Sequence, residues 1–214
     1  MAGAQPRRYH HGDLKAALID GAVELIAERG VRGFSVAELS RRVGVTVAAP
    51  YRHFANRDEL LAAVAVRALH EFEHVLAAQA SEEDPPERRL AAMASGYVRF
   101  AAEQRPLFSV VFGVGLDKKH RYPALRQAYE DVESMIAGSV GELCPGDPVA
   151  AEQLTHAVEA AAHGYATLLN DQPGTPDPAE IDRAAGQAAR ATHALIQGRA
   201  ALLEGVRSSP PGTP

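Results

Sequence analysis

The sequence predicts an all-α protein, and three observations carry this prediction. Apolar residues recur at the 3.6-residue period of an α-helix along almost the whole chain. Residues that cap or stop helices divide this pattern into separate segments. No stretch shows the alternation of apolar and polar residues that is typical of a β-strand.

Composition is that of an ordinary globular protein. The chain has 214 residues, 46% hydrophobic and 23% charged, which excludes a largely disordered chain. The single cysteine, Cys144, excludes an intramolecular disulfide and fits a reducing compartment. No apolar stretch approaches the roughly 20 residues that a membrane helix needs, and residues 1–11 lack the apolar core of a secretory signal. We therefore expect a cytoplasmic protein with no membrane partner.

Charge is distributed unevenly along the chain. The first 60 residues hold nine Lys and Arg against seven Asp and Glu, whereas the remainder holds 13 against 20. A mildly positive front on an acidic body suits a chain that meets phosphates, although chance produces such asymmetry as well. Residues 1–12 form either a flexible basic arm on DNA or a solvated tail, and their basic side chains are Arg7, Arg8, His10 and His11.

The first two helices have clear start and stop signals. Asp13 can cap helix one, and Gly30 can supply the left-handed residue that stops it. The segment Ser35–Glu38 has the form of a capping box, and it opens a short second helix that ends at Gly44. Helix one presents one apolar stripe, formed by Leu14, Ala17, Leu18, Gly21, Ala22, Leu25 and Ile26.

A third helix is predicted from Thr46, which can cap it, to about Phe54. With helix two and the turn at Gly44, it has the spacing of a helix-turn-helix, whose second helix presents one face to the major groove. Four residues fall on the inward side: Ala49, Pro50, His53 and Phe54. Four fall on the outward side: Val47, Ala48, Tyr51 and Arg52.

The outward residues have the chemistry that reads base edges. Val47 and Ala48 offer methyl groups to thymine. Arg52 can donate two hydrogen bonds to guanine, and Tyr51 can reach a phosphate or a base edge. Donors near the helix ends could bind phosphates and fix the register, and these are Ser35, Thr46, His53 and Arg57.

Helical patterns continue after this unit. A fourth helix opens at Asn56, which can cap it, and carries an apolar stripe out to Leu76. Pro123 fits the first turn of a later helix, and the last two predicted helices cover about residues 150–169 and 179–203. Breaks rich in Pro, Gly or charged residues separate the later helices at residues 81–86, 113–122, 145–148 and 171–178.

The stretch from Gly33 to Leu61 resembles the DNA-binding segment of the TetR (tetracycline-repressor) family, and the likeness covers about residues 13–65. Its most specific part is Tyr-x-His-Phe, followed by Asn-Arg-Asp-Glu-Leu-Leu at the start of helix four. Pro50 stands where the family commonly has Leu. The resemblance implies phosphate contacts from Ser35, Thr46, Tyr51, His53 and Arg57, and base contacts from Val47, Ala48 and sometimes Tyr51 or Arg52.

The resemblance also implies a domain plan and a mode of action. A helix-turn-helix DNA-binding domain over residues 13–58 precedes a helical effector-binding and dimerisation domain over residues 59–205, and residues 206–214 form a disordered tail. Such a protein is no enzyme and needs no cofactor or metal. Its partners are a double-stranded DNA operator, a second copy of itself and a small-molecule effector of unknown identity. The expected action is that of a repressor released from a palindromic operator by the effector, although the sequence does not separate repression from activation.

Eight residues are candidates for lining an effector pocket, and the alternative is that most of them simply fill the core. They lean apolar and aromatic, which favours an apolar or amphipathic effector. A further likeness links His163 and Gly164 to a subclass with a Trp-x-x-x-His-Gly signature, in which Glu159 takes the Trp position. The eight candidates are Met93, Tyr97, Phe100, Phe108, Phe112, Met135, His163 and Tyr165.

Small residues form smooth faces on the last two helices. Such faces suit close helix packing, either within the chain or between two copies. The resemblance favours a four-helix dimer interface built from these two helices. The candidate interface residues are Ala157, Ala161, Gly164, Ala184, Ala188, Ala191 and Leu195.

One motif points to a different class of protein. His70-Glu71-Phe72-Glu73-His74 matches H-E-x-x-H, in which two His one helical turn apart bind zinc and the Glu acts as a base. A helical zinc hydrolase using His70, Glu71 and His74 is therefore the competing hypothesis. No third ligand follows at a metalloprotease spacing, and the motif falls on the polar side of helix four.

Overall fold

The computed structural model describes residues 13–81, 84–112 and 121–201. Every regular element in these ranges is helical, which confirms the predicted all-α class. The elements are α1 (Asp13–Gly33), α2 (Val36–Val43), a 3₁₀ turn (Pro50–Arg52), α3 (Arg57–Gln79), α4 (Pro86–Glu103), α5 (Arg105–Val111), α6 (Pro123–Leu143), α7 (Pro148–Asn170) and α8 (Pro178–Gln197). None of the helices described is both long and apolar enough to cross a membrane.

The chain folds as two compact units that alternate along the sequence. The first contains the described parts of Met1–Leu69 and Arg105–Ala128, and the second contains those of His70–Gln104 and Tyr129–Pro214. The first unit extends beyond the expected boundary after Asp58, to Leu69 inside α3. It also includes α5. Helices α3 and α6 each contribute residues to both units.

The core of the first unit forms where α1 packs against α2 and α5. Gly21 lets α2 approach closely, because a Cβ atom there would lie 2.9 Å from Leu39 Cδ1 and 3.1 Å from Val43 Cγ2. At Gly30 the regular path of α1 breaks, with φ 68° and ψ 167°, so the predicted stop is a kink with an extended ψ, and helical residues continue to Gly33. The buried apolar side chains of this unit include Leu18, Leu25, Ile26, Phe34, Leu39, Phe54, Leu60, Val64, Leu107 and Val110.

The second unit is built around α4, which packs against both α7 and α8. Helices α7 and α8 begin two and one residues before the predicted starts, at Pro148 and Pro178, since proline suits the first helical turn. The preceding Asp147 and Asp177 cap them, each accepting a hydrogen bond from a backbone N–H. The regular α8 ends at Gln197, before the predicted end near residue 203. The C-cap residue Gly198 follows Gln197 directly.

Candidate nucleic-acid interface

The turn after α2 is set by Gly44. This residue adopts the left-handed conformation, with φ 77° and ψ 33°, and its N–H donates to the carbonyls of the last turn of α2. Val45 N–H then donates to Ser40 O at 2.9 Å. These bonds satisfy the terminal carbonyls of the helix and turn the chain sharply, as the stop signal predicts.

The predicted third α-helix over Thr46–Phe54 is wrong in type, because this segment consists of tighter turns. Ala49 N–H donates to Thr46 O at 2.9 Å, and His53 N–H donates to Pro50 O at 3.0 Å. An α-helix would need the N–H of residue 50 to reach Thr46 O, and proline has no N–H. Bonds between residues three apart wind Pro50–Arg52 into a 3₁₀ turn, and one bond between residues four apart, from Phe54 N–H to Pro50 O at 3.0 Å, closes the segment.

The division of this segment into two faces is as expected from the sequence. Val47 is 53% exposed and Tyr51 51% exposed, and Ala48 and Arg52 are exposed beside them. We call these four residues the reading face. On the inward side, Pro50 and Phe54 are buried, and Ala49 and His53 are half-buried. A surface that combines two large apolar side chains with a guanidinium suits contact with base edges.

Arg57 holds the segment to the rest of the first unit. Its Nη2 donates to Val31 O at 2.6 Å and its Nε to Phe34 O at 3.2 Å. The guanidinium carbon also lies 5.5 Å from the centre of the Phe34 ring, within the range of a cation–π contact. Two of the Arg57 donors are thus engaged inside the unit, and its proposed phosphate contact stays a prediction.

The predicted capping box at the start of α2 does not form. Ser35 occupies the N-cap position, but its side chain makes no capping hydrogen bond. Glu38 instead accepts a hydrogen bond from Arg29 Nη2 of α1 at 2.8 Å. The half-buried Ser35 hydroxyl therefore stands beside the N-terminus of α2, where phosphate groups bind favourably.

The N-terminal cap predicted for the fourth helix, which is α3 in the structure, is present. Asn56 caps the helix, since its Oδ1 accepts from Glu59 N–H at 2.9 Å. Glu59 reaches back to Ala55 N–H at 2.5 Å. This reciprocal pair fixes the chain between the 3₁₀ turn and α3.

Arg42 of α2 forms ion pairs with two glutamates of α1. Arg42 Nη2 lies 2.6 Å from Glu28 Oε2 and its Nη1 lies 3.8 Å from Glu24 Oε2. The hydrogen bond from Arg42 lowers the pKa of Glu28, and the same bond raises the pKa of Arg42. Within the part of the chain described, Arg41 and Arg52 are exposed and make no such pair, which leaves them available to phosphates and bases.

The pocket candidates fall in both units. Phe108 and Phe112 lie in the first unit, with ring centres 4.8 Å apart, and the other six lie in the second. Phe100 is fully buried in the core. Met93 and Met135 line a cleft of about 490 Å³ in the second unit. The other residues that line it are Ala77, Ala80, Arg89, Gly138, Ser139 and Glu142.

Tyr97 and His163 form a hydrogen-bonded pair between α4 and α7. The Tyr97 hydroxyl lies 2.8 Å from His163 Nδ1, and the Phe72 ring packs edge-on against Tyr97 at 5.2 Å. Burial raises the pKa of Tyr97, and the charge of Glu159 raises it further, so the phenol stays protonated. Neither side chain lines the cleft.

The polar residues of the cleft were missed by the sequence reasoning. Arg89 on α4 is separated from Ser139 on α6 by 50 positions and from Glu142 by 53, far beyond any helical period. No local pattern joins them, and only the fold brings them together.

The interface candidates divide by burial. Ala184 and Ala188 are buried within the chain, whereas the remaining five are half-buried. Ala157, Ala161 and Gly164 lie on one side of α7, and Leu168, which is 68% exposed, continues their stripe at helical spacing.

The H-E-x-x-H motif lies on α3 with both His70 and His74 exposed and Phe72 buried. Across the residues that the structure describes, no group of three or more His, Cys, Asp or Glu side chains could hold a metal ion.

Comparison with known proteins finds a family match for the N-terminal segment. Residues 18–64 match the family model described as bacterial regulatory proteins, tetR family. The HTH-type transcriptional regulator BetI of Brucella anthropi is 32% identical over 87 residues, which are 41% of this chain and 44% of that protein. The chain thus spans under half the length of the curated relatives that it matches.

Solved structures share the fold over nearly the whole chain. A protein of unknown function from Rhodococcus sp. RHA1 has a TM-score of 0.68 and 28% identity, covering 88% of this chain and 97% of that one. A TetR-like transcriptional regulator from Rhodococcus sp. RHA1 has a TM-score of 0.58 and 17% identity, covering 94% and 100%. Residues 18–64 thus carry a tetR-family segment, and the chain shares the helical fold of these solved structures.

Proposed function

We propose that this protein is a cytoplasmic, sequence-specific DNA-binding regulator, a homodimer that represses transcription until a small molecule releases it from a palindromic operator. The observation that carries the proposal is the reading face, which exposes Val47, Ala48, Tyr51 and Arg52 inside the segment that matches the family model. We propose no catalytic role for any residue.

Each group in the interface has a proposed task. Arg52 reads guanine through two hydrogen bonds, and Val47 packs against a thymine methyl group. Phosphate contacts from Ser35, Thr46 and His53 fix the register without reading sequence. Since the 3₁₀ turn is narrower than an α-helix, the reading face presents its side chains closer to the axis of the turn.

The proposed homodimer forms through the α7 stripe of Ala157, Ala161, Gly164 and Leu168. Small residues let two helices approach closely, and a 68% exposed leucine is a large apolar group left without cover. A two-fold dimer would place its two reading faces roughly 34 Å apart, one turn of B-DNA.

Helix α3 is the proposed link between effector and DNA, because it starts in the first unit and ends in the second. An effector shifts the equilibrium only if it binds the released conformation more tightly than the DNA-bound one. If ligand-bound and ligand-free structures of the dimer had the same α3 tilt and the same distance between the two reading faces, this link would be ruled out.

The test is salt-dependent binding of the full-length protein to DNA from its own upstream region. Arg52→Ala should cost about 1–3 kcal/mol of binding free energy and relax the preference at one base position. Tyr51→Phe should cost less, since only a hydroxyl is lost. Arg88→Ala is the matched control, because Arg88 is an exposed cation of the second unit, and it should bind as the parent protein does.

Binding that is equal on all DNA and disappears at moderate salt would contradict specific recognition by the reading face. Reporter expression then separates the two modes of regulation. Deleting the gene should raise expression from the bound promoter if the protein represses, and lower it if the protein activates.

A further inference from the structure

The H-E-x-x-H motif on α3 contains two histidines that the proposed function does not use. His70 and His74 are both exposed, and both belong to the second unit, whose first segment begins at His70. Neither imidazole makes a hydrogen bond or an ion pair within the part of the chain that the structure describes. Both side chains are therefore accessible to a ligand from solvent.

The spacing of the two histidines puts their rings on one face of the helix. Helix α3 is continuous from Arg57 to Gln79, so residues 70 and 74 lie one turn apart. Side chains four positions apart in an α-helix are neighbours, with Cβ atoms roughly 5–6 Å from each other. Two imidazoles at this spacing can bind the same metal ion.

The charges along this stretch of α3 favour a cation. Glu71 and Glu73 lie between the two histidines in the sequence. The nearest basic residue of the helix is Arg67, which is paired with Asp20. Negative charges thus outnumber positive ones here, which favours the approach of a divalent cation.

The ligand atoms select the class of metal. Imidazole nitrogen suits Ni²⁺, Cu²⁺ and Zn²⁺, whereas Mg²⁺ and Ca²⁺ prefer oxygen ligands. In the described residues no third His, Cys, Asp or Glu joins the pair to form a metal-binding group. Water would complete the coordination, so the site differs from structural and catalytic zinc sites, which have three or four protein ligands.

We propose that His70 and His74 together bind one late transition-metal ion, such as Ni²⁺, Cu²⁺ or Zn²⁺, at the surface of α3. This inference goes beyond the proposed function and does not depend on it. Because the two ligands meet only when this turn of the helix is intact, the bound ion stabilises the turn against unfolding.

The test is calorimetry of Ni²⁺ binding to the full-length protein without an affinity tag, using two double variants at the exposed residue Ala78. His70→Ala/Ala78→His moves the pair one turn along the helix and keeps the spacing of four. His74→Ala/Ala78→His leaves two histidines eight positions apart, about 12 Å along the helix axis, which is too far for one ion.

The first double variant should bind Ni²⁺ about as tightly as the parent protein. The second should bind about tenfold or more weakly, since a second ligand held nearby raises affinity through its effective concentration. Both have as many histidines as the parent, nine, so binding elsewhere on the chain is common to all three proteins. Cu²⁺ should bind the parent more tightly than Ni²⁺ does, and Mg²⁺ should not distinguish the three proteins.

Single variants give an independent check. His74→Ala should weaken Ni²⁺ binding about tenfold or more, as the second double variant does. His193→Ala is the control, because His193 is exposed on α8 and has no histidine three or four positions away, and it should bind as the parent does.

Equal Ni²⁺ affinity of the two double variants would overturn the proposal, as would parental affinity in His74→Ala. Amide hydrogen exchange provides a readout besides affinity. Saturating Ni²⁺ should slow exchange at residues 70–74 of the parent and leave His74→Ala unchanged, and equal exchange with and without Ni²⁺ in the parent would count against a shared ion.

Discussion

The backbone conformation of Gly30 restricts which residues this position accepts. Its φ of 68° and ψ of 167° lie in a region that glycine alone adopts without strain. The break that it makes in α1 leads directly to the Val31 and Phe34 carbonyls that Arg57 binds. One glycine therefore positions the acceptors through which the start of α3 is held.

Gly30→Ala should lower the free energy of unfolding by about 1–3 kcal/mol, because alanine at this φ and ψ is strained. Urea unfolding measures this change. Gly141→Ala is the matched control, since Gly141 lies inside α6 with open space at its Cβ position, and it should be neutral or stabilising by up to about 1 kcal/mol. Equal effects of the two variants would show that backbone strain plays no part.

Tyr97 links stability to pH. Its folded-state pKa is raised above the ordinary value, mainly by burial, so the folded protein holds the phenolic proton more tightly than the unfolded chain does. The stability that this provides is fully present below the unfolded pKa, roughly 10, and is lost as pH rises beyond it.

Tyr97→Phe should therefore cost about 1 kcal/mol near neutral pH, where it removes the hydrogen bond to His163. The difference from the parent protein should shrink as the pH of urea unfolding rises above about 10, because the phenylalanine variant has no proton to lose at this position. Tyr51→Phe, at an exposed position, should change stability at neither pH. A difference that stays constant with pH would contradict this account.

At the scale of the element, Pro50 determines that residues 50–52 form a 3₁₀ turn and not an α-helix. The two faces were predictable from the sequence because periods of three and of 3.6 residues put the same residues outside over so short a stretch. The type of helix differs from the prediction because proline at position 50 lacks the N–H that an α-helix would need there.

Pro50→Leu should let the segment wind into an α-helix, since the N–H of residue 50 could then donate to Thr46 O. The Cα chemical shifts of residues 47–52 should move toward helical values, and the amide at position 50 should exchange slowly. Pro86→Ala is the control, because proline at the first position of α4 replaces no helical bond. Unchanged shifts would mean that neighbouring contacts, not proline, impose the tight turn.

The helices, most of their caps and the exposed reading face were predictable, because period and end signals are local. Pairings across the fold were not. Glu38 leaves the expected capping box for Arg29, Arg57 turns to carbonyls of α1, and Ser139 meets Arg89 across the cleft. Such choices depend on which helices become neighbours, and a single sequence does not state this.

At the scale of the whole molecule, the α7 stripe defines the proposed assembly. Leu168→Asp should convert the dimer to a monomer in sedimentation experiments, because it places a charge at the centre of an apolar interface. Operator affinity should fall with it, since one monomer contacts a single half-site. Ser134→Asp adds the same charge at an exposed position of α6 and should leave the mass unchanged. A dimeric Leu168→Asp protein would exclude this stripe as the interface.

The interleaving of the two units along the chain has a consequence for chimeric regulators. Helix α5 packs on α1, although 70–104, the segment between α5 and the first part of that unit, belongs to the other unit. A head grafted onto a foreign body as residues up to 69 would leave behind one of its own packing partners. A working exchange has to cross from one unit to the other more than once, so a single cut in the chain would not separate the proposed DNA-binding part from the proposed effector-binding part.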